Sequence, residues 1–378
     1  MSQQIIFRNG SLQDLGRVLE KYDPALIFLV TGKKSYRESG AASKIGKILK
    51  GRNQVRFQEF SANPKLEDLD AGIRLFRHSR ADLILAVGGG SVLDMAKLIG
   101  ILAVQDGSPR DTVAGREQIR TDSVPVIAVP TTAGSGSEAT HFAVVFLGET
   151  KSSLAHPSML PECVLIDPEL TYSLPPRITA VTGLDAFSQA VESMWSIQAT
   201  ERSRAYARKA IELALANLPT AVHQPSTAVR RHMSLAALLA GKAINLSKTT
   251  APHALSYTMT ACFGVPHGHA AALTLAPVLI YNSRVTAADV TPPYTVERVR
   301  EIMLALTHLL GGQDPLAAGQ RITGLIESLG LPSRLSEVGI RTPADRRKIV
   351  EGVNPERLAN NPRALTAPDL TRILEEIS

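Results

Sequence analysis

Asp82-Leu83-Ile84-Leu85-Ala86-Val87-Gly88-Gly89-Gly90-Ser91-Val92-Leu93-Asp94-Met95-Ala96-Lys97 is the stretch that decides the fold of this chain. A short apolar run enters three glycines and leaves as a helical pattern, so the stretch reads as strand, tight turn and helix. Glycines let a backbone come close to a pyrophosphate, while the N–H groups and dipole of a helix N-terminus favour its negative charge. The six-residue dinucleotide fingerprint is not met, because Leu93 stands where its last glycine belongs. Taken alone, the turn also fits a purely packing role.

Outward from this turn, the first half alternates short apolar runs with amphipathic stretches, the pattern of a parallel α/β sheet. Strands are expected at Ala25 to Thr31, Gln54 to Phe60, Asp82 to Val87 and Val124 to Val129. Helices are expected at Leu12 to Lys21, Tyr36 to Lys50, Lys65 to His78 and Val92 to Ala103. After Asp167-Pro168 and the turn-like Ser173-Leu174-Pro175-Pro176, Ala/Leu-rich segments with helical spacing take over. They include Leu184 to Ile197, Arg202 to Ala216, Val229 to Ile244, Val296 to Leu310 and Pro315 to Leu329. A chain of 378 residues exceeds what one core usually serves, so two domains sharing a cleft are expected. They are an α/β dinucleotide-binding domain over residues 1–175 and an all-helical metal- and substrate-binding domain over residues 176–378.

Apolar residues at 44% and charged residues at 20% give an ordinary globular balance and exclude a disordered chain. The apolar runs fall far short of the roughly 20 residues that span a bilayer. With no basic region leading into an apolar stretch at the N-terminus, a cytoplasmic home without membrane attachment is expected. The formal charge of +6 comes from scattered basic residues without a run or an aromatic-interleaved stripe. It therefore points to an anionic small molecule and not to nucleic acid. The two cysteines, Cys163 and Cys262, lack metal-type spacing and read as small core thiols.

A second loop, Pro130-Thr131-Thr132-Ala133-Gly134-Ser135-Gly136-Ser137-Glu138, follows a strand and offers hydroxyls to ribose, adenine or phosphate. It lacks the Gly-Lys-Ser/Thr ending of a P-loop, which disfavours nucleotide hydrolysis. After the strand ending at Thr31 come Gly32-Lys33-Lys34-Ser35, where an NAD site would usually place an acid for the ribose 2′-hydroxyl. Two ammonium groups suit a 2′-phosphate instead, so NADP is preferred over NAD.

In the second half, Asp185 and Gln189 stand four apart on one helical face. His253 and His267 follow in Ala251-Pro252-His253 and Pro266-His267-Gly268-His269. One carboxylate and two imidazoles can hold a divalent ion and leave positions open for substrate. Singly, each histidine reads as a structural or surface residue. Together they make a ligand set.

Gly88-Gly89-Gly90-Ser91 with Asp94 and Lys97, Pro130 to Glu138, Lys151, Asp167-Pro168-Glu169-Leu170, Gly183-Leu184-Asp185-Ala186, Pro266-His267-Gly268 and Asn361-Pro362-Arg363 resemble the iron-containing, or group III, alcohol dehydrogenases. The similarity is ordered and covers nearly the whole chain. It implies that an aspartate, a histidine one turn later and two further histidines hold the metal. Asp185, His253 and His267 match, whereas Gln189 replaces the histidine. An amide oxygen is a harder donor than imidazole and suits Fe2+, with Zn2+ or another divalent metal as the alternative. Water in that place, or no metal, would also fit the substitution. The resemblance also implies that Asn63, Gly90, Ser91, Thr131, Thr132, Ser135 and Lys151 contact the cofactor, beside Gly89 and Asp94 of the glycine turn. It further implies a homodimer. Tyr257 occupies a position where relatives carry another histidine, and it could relay a proton or simply pack.

Lys242, Asn245, Ser247, Lys248, Thr249 and Thr250 precede His253 and could clamp an anionic tail. If they do not, the lysines cover a helix surface. Continued through Tyr257, this segment resembles the phosphonate-type branch of the family, which implies reduction of phosphonoacetaldehyde to 2-hydroxyethylphosphonate. Three alternatives stay open: an iron-type dehydrogenase of an uncharged alcohol, a dehydroquinate synthase-like lyase and a non-catalytic nucleotide-binding protein.

Overall fold

The computed structural model describes residues 3–61, 64–148 and 150–378, the side chains of Thr150 and Lys151 excepted. Contacts between Cα atoms divide the chain after Leu174 into two compact units.

Among the described residues, the first unit is built on eight strands: β1 (Gln4–Phe7), β2 (Ile27–Thr31), β3 (Gln54–Phe57), β4 (Leu83–Gly88), β5 (Val126–Pro130), β6 (Phe142–Leu147), β7 (Thr150–Ala155) and β8 (Cys163–Ile166). Six of them form a parallel sheet in the order β1-β8-β5-β4-β2-β3, and β6 pairs antiparallel with β7. The α-helices described in this unit are α1 (Leu15–Tyr22), α2 (Ser35–Glu38), α3 (Ala41–Ile48), α4 (Leu66–Ser79), α5 (Gly90–Leu102) and α6 (Pro109–Val113). Alternate strand residues share a face. Leu29, Leu85, Val87, Ile127 and Leu165 pack with Leu15, Leu19 and Ile45 of α1 and α3. Phe28 turns the other way, edge-on to Phe76 of α4 with ring centroids 5.2 Å apart. Both faces of the central strands are thus covered, which explains why β2, β4, β5 and β8 are buried throughout.

The expected helix over Tyr36 to Lys50 is two helices, because Gly40 adopts φ +76° and breaks the run. The strands β1 and β8 are only four residues each, too short to show a period, and escape a reading by pattern. The β6–β7 hairpin likewise emerges only in the fold.

The second unit is helical, as its spacing indicates: α7 (Pro176–Trp195), α8 (Glu201–His223), α9 (Thr227–Ser247), α10 (Ala251–Phe263), α11 (His267–Ser283), α12 (Val296–Leu309), α13 (Pro315–Ser328), α14 (Pro343–Glu351), α15 (Pro355–Ala359) and α16 (Ala367–Glu376). Helix α7 starts well before the expected Leu184. Pro176 is a helix-starting residue here, since its missing N–H and fixed φ suit the first turn, and it does not merely punctuate a turn. From Leu184 to Trp195 every residue of α7 is buried, with α8, α9 and α11 packed around it. A helix buried on all sides normally carries apolar residues only. Beside the small hydroxyls of Ser188 and Ser193, the larger polar exceptions Asp185, Gln189 and Glu192 lie in the interior of α7 and mark chemistry. Among the described residues, no helix is long and apolar enough to cross a membrane.

Candidate active site

Asp185, Gln189 and Glu192 follow one another at helical spacing on α7, and α10 and α11 bring the histidines to this row. Thr250 caps α10 and Pro252 sets its first turn, which fixes His253 near the helix start. His267 opens α11 directly after Pro266. The following residue must be glycine: a Cβ on Gly268 would lie 2.2 Å from the Val181 carbonyl oxygen and 2.7 Å from Asp185 Cβ. Its bare backbone lets α11 touch α7 at the level of Asp185.

One ligand atom from each of Asp185, His253 and His267 lies within 4.8 Å of the others. His253 Nε2 is 3.4 Å from Asp185 Oδ1, and the two imidazole rings are 5.2 Å apart at 76°. Behind His253 stands Glu192, fully buried. One of its oxygens meets His253 Nδ1. The other accepts from the Thr250 amide at 2.7 Å and the Thr250 hydroxyl at 3.0 Å. Trp195 Nε1 donates to that same hydroxyl at 2.8 Å. A carboxylate on the far nitrogen fixes which ring atom faces a metal and raises its basicity. Burial pushes the His253 imidazolium toward losing its proton, yet Glu192 and Asp185 outweigh it and hold the pKa at about 9. A pocket that favours positive charge this strongly, with one carboxylate and two imidazoles converging, fits a divalent ion. Glu192 went unread in the sequence; its signal was the i+7 spacing from Asp185 on one face.

His269, two residues beyond His267, has a structural role: its Nε2 meets the Pro332 carbonyl at 2.7 Å, and burial lowers its pKa. Tyr257 lies one turn past His253, its ring 6.0 Å from that of His267. Burial raises its pKa, against the pull of Arg357, from which the hydroxyl accepts a hydrogen bond.

The six groups expected to clamp an anion do not converge. Lys242 Nζ lies 5.7 Å over the Tyr206 ring, and Lys248 Nζ pairs with Glu356 at 2.6 Å. Ser247 Oγ is 2.7 Å from Ser193 Oγ, Thr250 serves Glu192, and the Thr249 carbonyl accepts from Asn360 at 2.9 Å. Asn245 is half-buried near the end of α9. Ser247, Thr249 and Thr250 are buried joints between helices, because a polar side chain removed from water must find an internal partner.

In the first unit, β4 ends at Gly88 and α5 begins at Gly90, so the helix N-terminus opens at the C-terminal edge of the sheet, where open α/β folds take ligands. A Cβ on Gly90 would lie 2.6 Å from Ser135 Oγ, and one on Gly89 3.2 Å from Thr132. The second loop is therefore laid directly over the glycine turn, with Ser91 and Ser135 half-buried beside it. Thr131 Oγ1 is buried there without a hydrogen-bond partner, a donor awaiting an acceptor. Asp94 is already engaged: it accepts from Ser137 Oγ at 2.5 Å and from the Val144 amide at 3.0 Å. Its role is to brace the loop. Lys97, fully buried, completes the brace by donating to Ser137 O at 2.9 Å and Thr140 Oγ1 at 3.0 Å. After β2, Gly32 leads to Lys33, which pairs with Glu59 at 3.0 Å on the surface, and to the exposed Lys34. Asn63 lies outside the described residues, and of Lys151 only the backbone is described, opposite Phe146 in the hairpin.

A dinucleotide-type α/β unit joined in sequence to a helical unit with a metal-type cluster defines a class, the two-part dehydrogenases. Two family models cover nearly all of the chain: iron-containing alcohol dehydrogenase over residues 2–168, and the C-terminal part of the Fe-containing alcohol dehydrogenase family over residues 179–378. This chain belongs to the iron-containing alcohol dehydrogenase family and is an oxidoreductase. It is 37% identical to phosphonoacetaldehyde reductase of Streptomyces viridochromogenes over 317 residues, 81% of this chain and 78% of the relative. With long-chain-alcohol dehydrogenase 1 of Geobacillus thermodenitrificans it shares 32% over 88% of this chain and 86% of that one. The crystal structure of sulfoacetaldehyde reductase from Bifidobacterium kashiwanohense in complex with NAD+ superposes with a TM-score of 0.88 at 30% identity, covering 99% and 96% of the two chains.

Proposed function

We propose that this chain reduces a small anionic aldehyde to a primary alcohol, foremost phosphonoacetaldehyde to 2-hydroxyethylphosphonate. NADPH, with NADH as the alternative, gives a hydride to the aldehyde carbon, and a proton completes the alcohol. The observation that carries this is the convergence of Asp185, His253 and His267 within 4.8 Å in a chain so similar to a phosphonoacetaldehyde reductase.

Asp185, His253 and His267, with Gln189 beside them on α7, would hold a divalent ion, Fe2+ before Zn2+, which when bound supplies Lewis-acid polarisation of a carbonyl. Glu192 keeps the His253 ring oriented. Tyr257 retains its proton at neutral pH, because burial raises its pKa, and so offers one beside His267. The turn from Gly88 to Ser91 would take the pyrophosphate, with Thr131, Thr132, Ser135, Asn63 and Lys151 on the remainder of the nucleotide. Lys33 and Lys34 favour a 2′-phosphate. The same reading makes the enzyme a cytoplasmic homodimer.

A second reading, an enzyme of an uncharged alcohol, draws on the inward use of Ser247 and Thr250. Steady-state kinetics on the Fe2+-reconstituted protein separate the two, comparing phosphonoacetaldehyde with propanal under NADPH and NADH. A higher kcat/KM for the anionic aldehyde is expected. Preference for propanal overturns the anionic substrate, and failure to oxidise either coenzyme overturns the reductase.

A further inference from the structure

Helix α15 packs against α10, the helix that carries both His253 and Tyr257. From α15, Arg357 reaches the Tyr257 hydroxyl and donates to it. The Tyr257 ring is tilted by 34° against His267 at 6.0 Å, so a guanidinium stands one side chain away from the metal-type cluster. Arg357 is 7% exposed, whereas Lys242 and Lys248 are directed to Tyr206 and Glu356.

We infer that Arg357 is the group that selects the substrate's anion, gripping an oxyanion joined to the aldehyde by a short carbon spacer. The inference rests on the reductase reading above and replaces the lysine clamp with a single guanidinium. Three properties support it. The first is charge in the right surroundings: a buried cation attracts an anion far more strongly than an exposed one, since water does not screen it. The second is shape: the planar fork of N–H donors meets two oxygens of a phosphonate, sulfonate or carboxylate at once, which a lysine ammonium does not.

The third is rigidity. Asn354 caps α15 by accepting from the Arg357 amide at 2.9 Å. At the other end Asn360 donates to the Ser247 and Thr249 carbonyls at 2.8 and 2.9 Å, and accepts from Ser196 Oγ at 3.0 Å. Arg357 is thereby held at a set distance from His253 and His267 by the same joints that expected clamp residues form. Glu356, its neighbour, is drawn off by Lys248 at 2.6 Å. The segment thus contributes to anion recognition indirectly, by placing α15.

The test uses metal-loaded enzyme carrying Arg357→Met or Arg357→Lys, with phosphonoacetaldehyde, sulfoacetaldehyde and propanal as substrates. Arg357→Met is expected to lower the ratio of kcat/KM for each anionic aldehyde over propanal by about 100-fold, chiefly through KM, as for a lost charge-assisted hydrogen-bond pair. Arg357→Lys should lower it by about tenfold, because a point charge survives while the fork is lost. Inhibition by 2-hydroxyethylphosphonate should weaken in parallel, and metal affinity measured on each variant reports that the cluster is intact. The phosphonate and sulfonate arms show which oxyanion the fork fits better. Equal losses on all three aldehydes, or a wild-type preference that survives Arg357→Met, overturn the role of Arg357 alone. Wild-type enzyme whose kcat/KM for propanal equals or exceeds that for the anionic aldehydes overturns the anionic-substrate reading and the role of Arg357 with it.

Discussion

Replacing Glu192 with glutamine probes the site where the structure is most explicit. The amide keeps the shape of the side chain and one acceptor oxygen, so Thr250 need not lose its partner. What disappears is the negative charge behind His253 and the acceptor at its Nδ1. A hydrogen bond to a charged group contributes about 1.5–3 kcal/mol. Loss of a carboxylate behind a metal-bound histidine typically weakens metal affinity about 10–100-fold, or roughly 1.4–2.8 kcal/mol at 1.4 kcal/mol per tenfold. The two ranges overlap, and complete burial of Glu192 argues for the upper end. We expect Glu192→Gln to raise the dissociation constant for Co2+ or Fe2+ toward that 100-fold bound, measured by titration in chelator-buffered solution. Saturating metal should restore most of kcat. Wild-type affinity in Glu192→Gln, with binding abolished by Asp185→Ala, would refute the orienting role.

Gly268→Ala places a methyl 2.2 Å from the Val181 carbonyl, and since backbone yields little, α11 must shift away from Asp185. A loss of about 1–3 kcal/mol in urea unfolding and weaker metal binding are expected, and normal metal affinity would show that the close approach is not needed. Glu138 concerns pH: burial pushes its carboxyl up to about 7 from 4.5, against the opposing effect of Lys97. Between those values the folded chain keeps a proton that the unfolded chain releases, so this group's stabilisation is greatest below the lower value and declines as pH rises through the upper one. The Tm of Glu138→Gln relative to wild type should therefore increase from about pH 5 to about pH 8 in thermal melts. A constant difference across that range would contradict the shifted carboxyl.

Much of this architecture is legible in the sequence because short-range rules act on neighbours. An apolar run followed by three glycines dictates the β4–α5 turn, and helical spacing puts Asp185 and Gln189 on one face. His253 and His267 can be paired with them through the family's motifs. The four-residue strands β1 and β8 are not marked in this way, since so short a run shows no period of its own, whereas the equally short β3 lies within the longer expected run from Gln54 to Phe60.

Burial and direction are another matter, for they depend on partners remote in sequence. In the sequence Glu192 is one acid among many on helices; only the fold, which brings the start of α10 beside it, turns it into the partner of His253, 61 residues away. Lys248 and Thr250 have the composition of an anion site, yet Glu356 and Glu192 claim them. Arg357 is part of no motif read in the sequence, although Asn361-Pro362-Arg363 follows shortly after it, and it comes beside the distant Tyr257 through the docking of α15. Local chemistry along the chain thus determined the elements and the metal-type residues. The tertiary structure decided which polar groups face one another, because a buried donor or charge takes the partner that packing brings to it, whatever its distance in sequence.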